Sequence, residues 1–224
     1  MSGQRIDRAA IEEVDSGMTV GLGTGRTATR VIHALADRVS RESLDIRCVA
    51  TSKATEALAR TLALHIVPLA TAERVDILVD GADEVDPALR MMKGRGGAMT
   101  EEKRVARAAA RRIYVVQSSK LVDRLGRTAA LPIEVKQSRL ASVRAAIADL
   151  GLLAELRCED GGSEFRTDGG NPVLDAVLPE TDLAALATAL DATVGVVGHG
   201  LFLDEADLVL VEDEHHQVSR RTRG

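Results

Sequence analysis

Short apolar segments alternate with helical ones along the first half of this chain, and that alternation limits the fold more than any other feature. Residues 4–16 carry Ile6, Ala9, Ala10, Glu13 and Val14 at helical spacing. Thr19, Val20, Gly21 and Leu22 then form a short run of the kind found in parallel strands buried on both faces. A Gly-rich turn leads to a helix over about 26–39, a strand over 46–50, a helix over about 53–63, and strands over 65–68 and 75–79. A helix over about 100–110 and a strand over 113–116 continue the series. Strands alternating with helices predict a parallel sheet covered on both faces, an α/β domain of Rossmann-like type.

The pattern changes near Thr128. Strands are expected over 131–135, 152–157, 164–167 and 173–178, one of them a marginal extra, and helices over 139–150 and 182–190. A strand over 193–197 closes a β-α-β-β-α-β order, which suggests a smaller ferredoxin-like α+β domain. Residues 207–211 form one more apolar strand, expected to return to the first sheet. The expected division is therefore a discontinuous α/β domain over 1–127 plus 204–224 and a small domain over 128–203. The charged tail after Glu212 is expected to fray.

Composition narrows the function. With 224 residues and 45% hydrophobic content the chain can bury a real core, but an aliphatic one, since the aromatics are Tyr114, Phe165 and Phe202. Base stacking on aromatic platforms is a poor match. A net charge of −5 argues against nucleic acid as the main partner. Cys48 and Cys158 make no disulfide framework and read as buried thiols in a reducing compartment. The first residues carry no apolar run of signal type, and no segment reaches the ~20 apolar residues needed to span a bilayer, so a cytoplasmic protein without membrane contact is expected. His33 and His65 read as packing or surface residues, His199 as structural, and His215 and His216 as part of a solvated tail.

In open parallel sheets, ligands sit beyond the carboxyl ends of the strands. Three loops there are unusual. The first is Gly21-Leu22-Gly23-Thr24-Gly25-Arg26-Thr27-Ala28. Glycines let the backbone approach a ligand, the following helix offers N–H groups and a positive dipole end, and Thr24 and Thr27 add hydroxyls, so phosphate is the natural guest. Residues 23–28 also satisfy a loose Gly-x-Gly-x-x-Ala dinucleotide fingerprint, but the next strand ends Val49-Ala50-Thr51-Ser52-Lys53, without the acid that would hold a ribose. The second loop, Asp80-Gly81-Ala82-Asp83-Glu84-Val85-Asp86, crowds four acids at one strand end, with small residues at 81 and 82. Such carboxylates exchange protons with sugar hydroxyls, hold a divalent metal, or simply form a solvated turn. The third, Lys93-Gly94-Arg95-Gly96-Gly97-Ala98-Met99-Thr100-Glu101-Glu102-Lys103, is a second Gly-rich turn entering a helix. Lys93 and Arg95 suit a phosphate or a developing oxyanion. On spacing alone Glu101 and Glu102 read as first-turn acids that complement the helix dipole. Residues 51–55 suggest a helix cap, and Lys120, after Ser118-Ser119, lies at another strand's carboxyl end.

Together these segments resemble type A ribose-5-phosphate isomerase, in order along nearly the whole chain. GLGTGRTA is similar to that family's phosphate loop, and VDGADEVDP and KGRGGAMTEEK to its two signature segments. SSKLVDRLG, LPIEV, TDGGNPVLD and GHGLF echo it in the second half. The resemblance implies interconversion of ribose 5-phosphate and ribulose 5-phosphate through a cis-enediolate, as in the pentose phosphate pathway, with no metal or organic cofactor. By this resemblance Glu102 is the base, Asp80 and Asp83 contact sugar hydroxyls and assist proton transfer, and Lys93 stabilises the enediolate oxygen. Thr24, Gly25, Arg26 and Thr27 are implied to hold phosphate. Gly81, Ala82, Gly94, Arg95, Gly96 and Lys120 are implied to contact substrate. A homodimer or homotetramer is implied too. Arg26 and Arg95 stand where the family commonly has serine and glycine, and both are expected to be tolerated. A non-catalytic sugar-phosphate sensor, or an isomerase of another sugar phosphate, are the other readings.

Overall fold

The computed structural model describes residues 5–223. In chain order they form α1 (Ile6–Ala10), β1 (Thr19–Leu22), α2 (Arg26–Glu42), β2 (Arg47–Ala50), α3 (Lys53–Thr61), β3 (Val75–Gly81), β4 (Glu84–Val85) and β5 (Met91–Met92). Next come α4 (Met99–Ala108), β6 (Ala109–Gln117), β7 (Leu131–Val135), α5 (Leu140–Asp149), β8 (Leu153–Leu156), β9 (Val173–Val177) and α6 (Leu183–Ala192). The chain ends with β10 (Val196–His199), β11 (Leu201–Phe202), β12 (Leu208–Glu212) and β13 (Val218–Thr222).

The chain divides into two units, one of Met1–Ala82, Glu101–Leu121 and Asp204–Gly224, the other of Asp83–Thr100 and Val122–Leu203. The first unit holds a six-stranded sheet in the order β13-β12-β6-β3-β1-β2. Its neighbours are parallel except for β12 and β13. Val20, Leu22, Ile77, Val79, Ile113 and Val115 project from one face and pack with Ile6 and Ala10 of α1 and Val31, Ile32 and Leu35 of α2. Gly21 and Leu78, paired in register, alternate to the opposite face. There α4 comes close: a Cβ at Gly21 would lie 2.9 Å from both Leu78 Cδ1 and Val105 Cγ1. The glycine is what lets a helix pack directly on β1. Helices thus cover both faces, as the alternating sequence requires.

The second unit holds a four-stranded antiparallel sheet in the order β10-β7-β9-β8. With α5 between β7 and β8 and α6 between β9 and β10, this is the expected β-α-β-β-α-β arrangement. Ile133, Val135, Val143, Ile147, Leu174 and Leu190 are in its core. His199 is buried, its Nδ1 accepting the Leu201 N–H and its Nε2 lying 3.2 Å from Asp191.

Several expectations change. The second unit begins at Asp83 rather than at residue 128, apart from the α4 and β6 stretch. The reason is a three-stranded sheet, β11-β5-β4, built from two-residue strands too short to leave a periodic signal. Glu84 adds to this by accepting N–H groups from Gly126, Thr128 and Ala129. Residues 65–68 make a single parallel bridge, Cys48 to Ile66, and 164–167 a single bridge, Cys158 to Glu164. The first helix is short, ending at Ala10 with its C-cap at Ile11, whose φ of -104° and ψ of 5° leave the helical region; residue 4 of its expected range lies outside the described residues. The tail does not fray along its length: β13 pairs antiparallel with β12, covers its edge, and presents exposed Arg220 and Arg221 outward. His215 and His216 sit in the connecting turn. Cys48 is buried, its thiol pushed up to about 12 by that burial, whereas Cys158 is exposed. Among the described residues no helix is long and apolar enough to cross a membrane.

Gly21→Val forces side-chain atoms into the gap filled by Leu78 and Val105, and overpacking of this kind costs about 1–3 kcal/mol. Urea unfolding should show a lower midpoint for the variant at an unchanged slope; an unchanged midpoint would mean that α4 does not press on β1.

Candidate active site

In the first unit the expected site residues gather at the carboxyl ends of three adjacent strands. Thr24, Gly25, Arg26 and Thr27 follow β1, Asp80, Gly81 and Ala82 end β3, and Lys120 closes a short helical turn after β6. Asp80 organises this edge. Its carboxylate is fully buried and accepts the N–H groups of Thr24 (3.1 Å) and Gly81 (2.7 Å) through Oδ1. A Cβ at position 23 would lie 2.5 Å from the Asp80 Cα, so glycine is required there. Gly81 is less constrained, with 3.8 Å to the nearest atom around a built Cβ.

Thr24 is more architectural than its sequence suggests. Its hydroxyl lies 2.8 Å from the Thr51 hydroxyl, 2.9 Å from that of Ser52 and 3.2 Å from that of Thr55. Ser52 also caps α3 by accepting the Thr55 N–H, as the short 51–55 motif implied. The features that remain suited to an anion belong to the start of α2. Its N-cap is Gly25, at φ +104°, with no side-chain cap and no acid in the first turn. An uncapped helix start leaves N–H groups without intrahelical acceptors and a positive dipole end, with the exposed Arg26 beside it.

The two first-turn glutamates of α4 part company. Glu101 is partly exposed and pairs with Arg104 at 2.7 Å, as a surface helix acid does. Glu102 is 4% exposed. A carboxylate that only complements a helix dipole gains nothing from burial, which costs solvation. Lys103 is buried as well. Tyr114, on β6, is in register with Asp80 and therefore on the same face of the sheet. Its phenol is raised well above the usual 10, by burial first and then by the negative charges of Asp80, Glu205 and Glu102.

In the second unit, Asp83 accepts the Arg95 N–H at 3.0 Å and donates its own N–H to Met92. Lys93 is buried, with its ammonium 5.6 Å from the Phe202 ring centroid and its N–H on the Gly200 carbonyl. Gly94 has φ +104°, and a Cβ there would meet Met99 at 2.9 Å. Arg95 has no such conformation, so glycine is not needed at that position, and its side chain is exposed. Arg26 is likewise exposed, on a helix start open to any residue. Gly96 is exposed beside Arg95.

The four acids of the second loop are not equivalent. Glu84 is saturated by three backbone N–H groups and the Thr128 hydroxyl. Asp86 is held by the Ala88 and Arg90 N–H groups and the Arg90 guanidinium. Both are structural, leaving Asp80 and Asp83. Sequence reasoning missed Tyr114, visible only as a lone aromatic in an apolar strand. It also missed Arg157, whose guanidinium donates to the Gly94 and Arg95 carbonyls from a distant segment. Among the described residues no group of three or more His, Cys, Asp or Glu side chains is placed to hold a metal ion.

A sequence model of the family described as ribose 5-phosphate isomerase A (phosphoriboisomerase A) matches residues 47–216. A relative named ribose-5-phosphate isomerase A, from Sphingopyxis alaskensis, is 45% identical over 203 residues, spanning 90% of this chain and 88% of the relative. The structure of ribose 5-phosphate isomerase A from Methanocaldococcus jannaschii superposes with a TM-score of 0.93 at 34% identity, covering 97% of this chain and 96% of the other. A D-ribose-5-phosphate isomerase structure in complex with phospho-erythronic acid gives the same TM-score, identity and coverage.

The chain has one tyrosine and no tryptophan, so the near-ultraviolet tyrosinate band reports Tyr114 alone. Because its folded value lies above the unfolded 10, the neutral phenol stabilises the fold below pH 10, and that contribution is lost as pH rises beyond it. Titration of the folded protein to pH 10 should show almost no tyrosinate, where a free phenol would be half ionised. A normal titration curve in folded protein would remove Tyr114 from its buried, acid-lined place.

Proposed function

The chain belongs to the ribose 5-phosphate isomerase A family, and from that premise we propose that it interconverts D-ribose 5-phosphate and D-ribulose 5-phosphate, with Glu102 as the base. The observation that carries this is the burial of Glu102 beside a partly exposed, ion-paired Glu101 in the same helical turn. Burial keeps a carboxylate from water and available to a substrate proton.

The chemistry follows from the groups present. The proton next to a carbonyl is weakly acidic, so a carboxylate removes it only if the developing negative charge on oxygen is stabilised. In this reading Glu102 takes the C2 proton of the open-chain aldose. The electron pair moves into a cis-enediolate, and the charge that builds on its oxygen is stabilised by Lys93. Glu102 then returns the proton to C1, giving the ketose, so a single base serves both carbons. Asp80 and Asp83 contact sugar hydroxyls and carry protons between oxygens during ring opening and isomerisation. The start of α2, with Gly25, Arg26, Thr27 and the backbone of Thr24, receives the phosphate, and Gly81, Ala82, Gly94, Arg95, Gly96 and Lys120 line the sugar. Holding the phosphate far from the reacting carbons supplies positioning energy. The phospho-erythronic acid held by a solved relative supports a small phosphorylated sugar as the ligand class. The ordinary backbone of Arg95 and the exposure of both Arg26 and Arg95 support the view that neither blocks this substrate. A cytoplasmic homodimer or homotetramer belongs to the same reading; exposed Leu153 and Val177, paired across β8 and β9, are consistent with a covered surface in such an assembly.

Glu102→Gln keeps the shape and removes the base. Conversion of ribose 5-phosphate to ketose should fall by about 10²–10⁴-fold, while ribose 5-phosphate still binds, as read by calorimetry. Turnover near that of the unsubstituted protein would return Glu102 to the role of a helix-dipole acid.

A further inference from the structure

Arg157 lies outside every motif that suggested an active site. It follows β8 directly, and its N–H donates to the Val173 carbonyl at 2.8 Å, so its backbone is seated on the sheet of the second unit. Its side chain is 13% exposed, and all three of its nitrogens donate hydrogen bonds. Nε and Nη2 make a two-pronged pair with Asp175, at 2.8 and 2.5 Å. Nη1 donates to the carbonyls of Gly94 (2.9 Å) and Arg95 (3.0 Å). The guanidinium carbon lies 5.2 Å from the Phe165 ring centroid. That ring in turn occupies the space a side chain at position 97 would need: a Cβ on Gly97 would come within 2.5 Å of it.

We propose that Arg157 is a positioning residue for catalysis, a clamp that holds the Lys93–Gly96 turn in its working geometry. The inference rests on the isomerase reading, in which this turn carries Lys93 and presents backbone to the sugar. The turn is held from two directions. Asp83 accepts the Arg95 N–H, and Arg157 donates to the carbonyls of Gly94 and Arg95. Gly94 at φ +104° is the bend that points those carbonyls to a single donor. Asp175 and Phe165 fix the plane of the guanidinium, so its remaining donors have one direction. A lysine in this place offers a point charge without the planar fork and cannot meet Asp175 twice and both carbonyls together. The side-chain hydrogen bonds of Arg157 go to Asp175, Gly94 and Arg95, all in the second unit, whereas the phosphate-type loop after β1 belongs to the first. Loosening the clamp therefore acts on the chemical step more than on capture of the substrate. A displacement of about 1 Å at a reacting group is enough to cost about 10²-fold in rate.

The test compares Arg157→Ala and Arg157→Lys with the unsubstituted full chain, by steady-state isomerisation of ribose 5-phosphate and by amide hydrogen exchange. For Arg157→Ala the expected result is a kcat lower by about 10²-fold with KM changed by no more than about threefold. Amides of residues 94–97 should exchange faster while β7 and β9 keep their protection. Arg157→Lys should recover part of kcat. A kcat within about twofold of the unsubstituted value for the alanine variant, or unchanged exchange at 94–97, overturns the proposal. If the alanine variant does not fold, the lysine variant decides by the same two readings, with a smaller loss expected. If the unsubstituted chain forms no ketose, the isomerase reading fails and takes the catalytic role with it, whereas exchange at 94–97 still shows whether the clamp exists.

Discussion

The buried carboxylate of Asp80 is the constraint around which the first unit is arranged. A carboxylate out of water must be met by donors, and here the N–H groups of Thr24 and Gly81 meet one of its oxygens. That bond draws the loop after β1 onto the end of β3, and the contact is close enough that position 23 admits only glycine. A hydroxyl cluster of Thr24, Thr51, Ser52 and Thr55 then locks the same loop from the other side. The Gly-rich loop owes its shape to this acid as much as to its own glycines. What it leaves for a ligand is the bare start of α2.

The same physics sorts the other acids. Glu84, Asp86 and Glu134 are buried and satisfied by nearby donors, Glu134 by the hydroxyls of Thr100 and Thr167 and the amide of Asn171. They hold turns in place within the second unit. The TDGGN segment, which carried a resemblance without an evident role, thereby acquires one: Thr167 and Asn171 anchor on a strand carboxylate. Glu101 is partly exposed and paired with Arg104. Glu102, one residue further along the same helical turn, is buried. Buried polar networks of this sort give geometry rather than net stability.

The α/β core was legible in residues such as Val20, Leu22, Ile77 and Val79, because parallel strands buried on both faces leave dense apolar runs. The ferredoxin-like order was legible for the same reason, from Leu131–Val135 and Val173–Val177. The boundary near residue 83 was not, since β4, β5 and β11 are two residues long and exist only through pairing. Nor was the C-terminal strand: Arg220 and Arg221 look like a solvated tail until β12 is seen to need an edge partner. In the site, Thr24 looked like a phosphate donor because its hydroxyl partners lie some thirty residues away. Arg157 left no local signal, as its carbonyl partners are separated from it by 62 and 63 positions.

By itself, the sequence determined the alternating architecture, the family and the set of residues worth asking about, since these depend on local periodicity and on motifs held in order. Which of those residues are buried, which acids are already satisfied, and what holds the Lys93 turn were decided by tertiary structure alone. Desolvation and hydrogen-bond satisfaction are properties of three-dimensional neighbours, and two adjacent glutamates in one helical turn differ in burial.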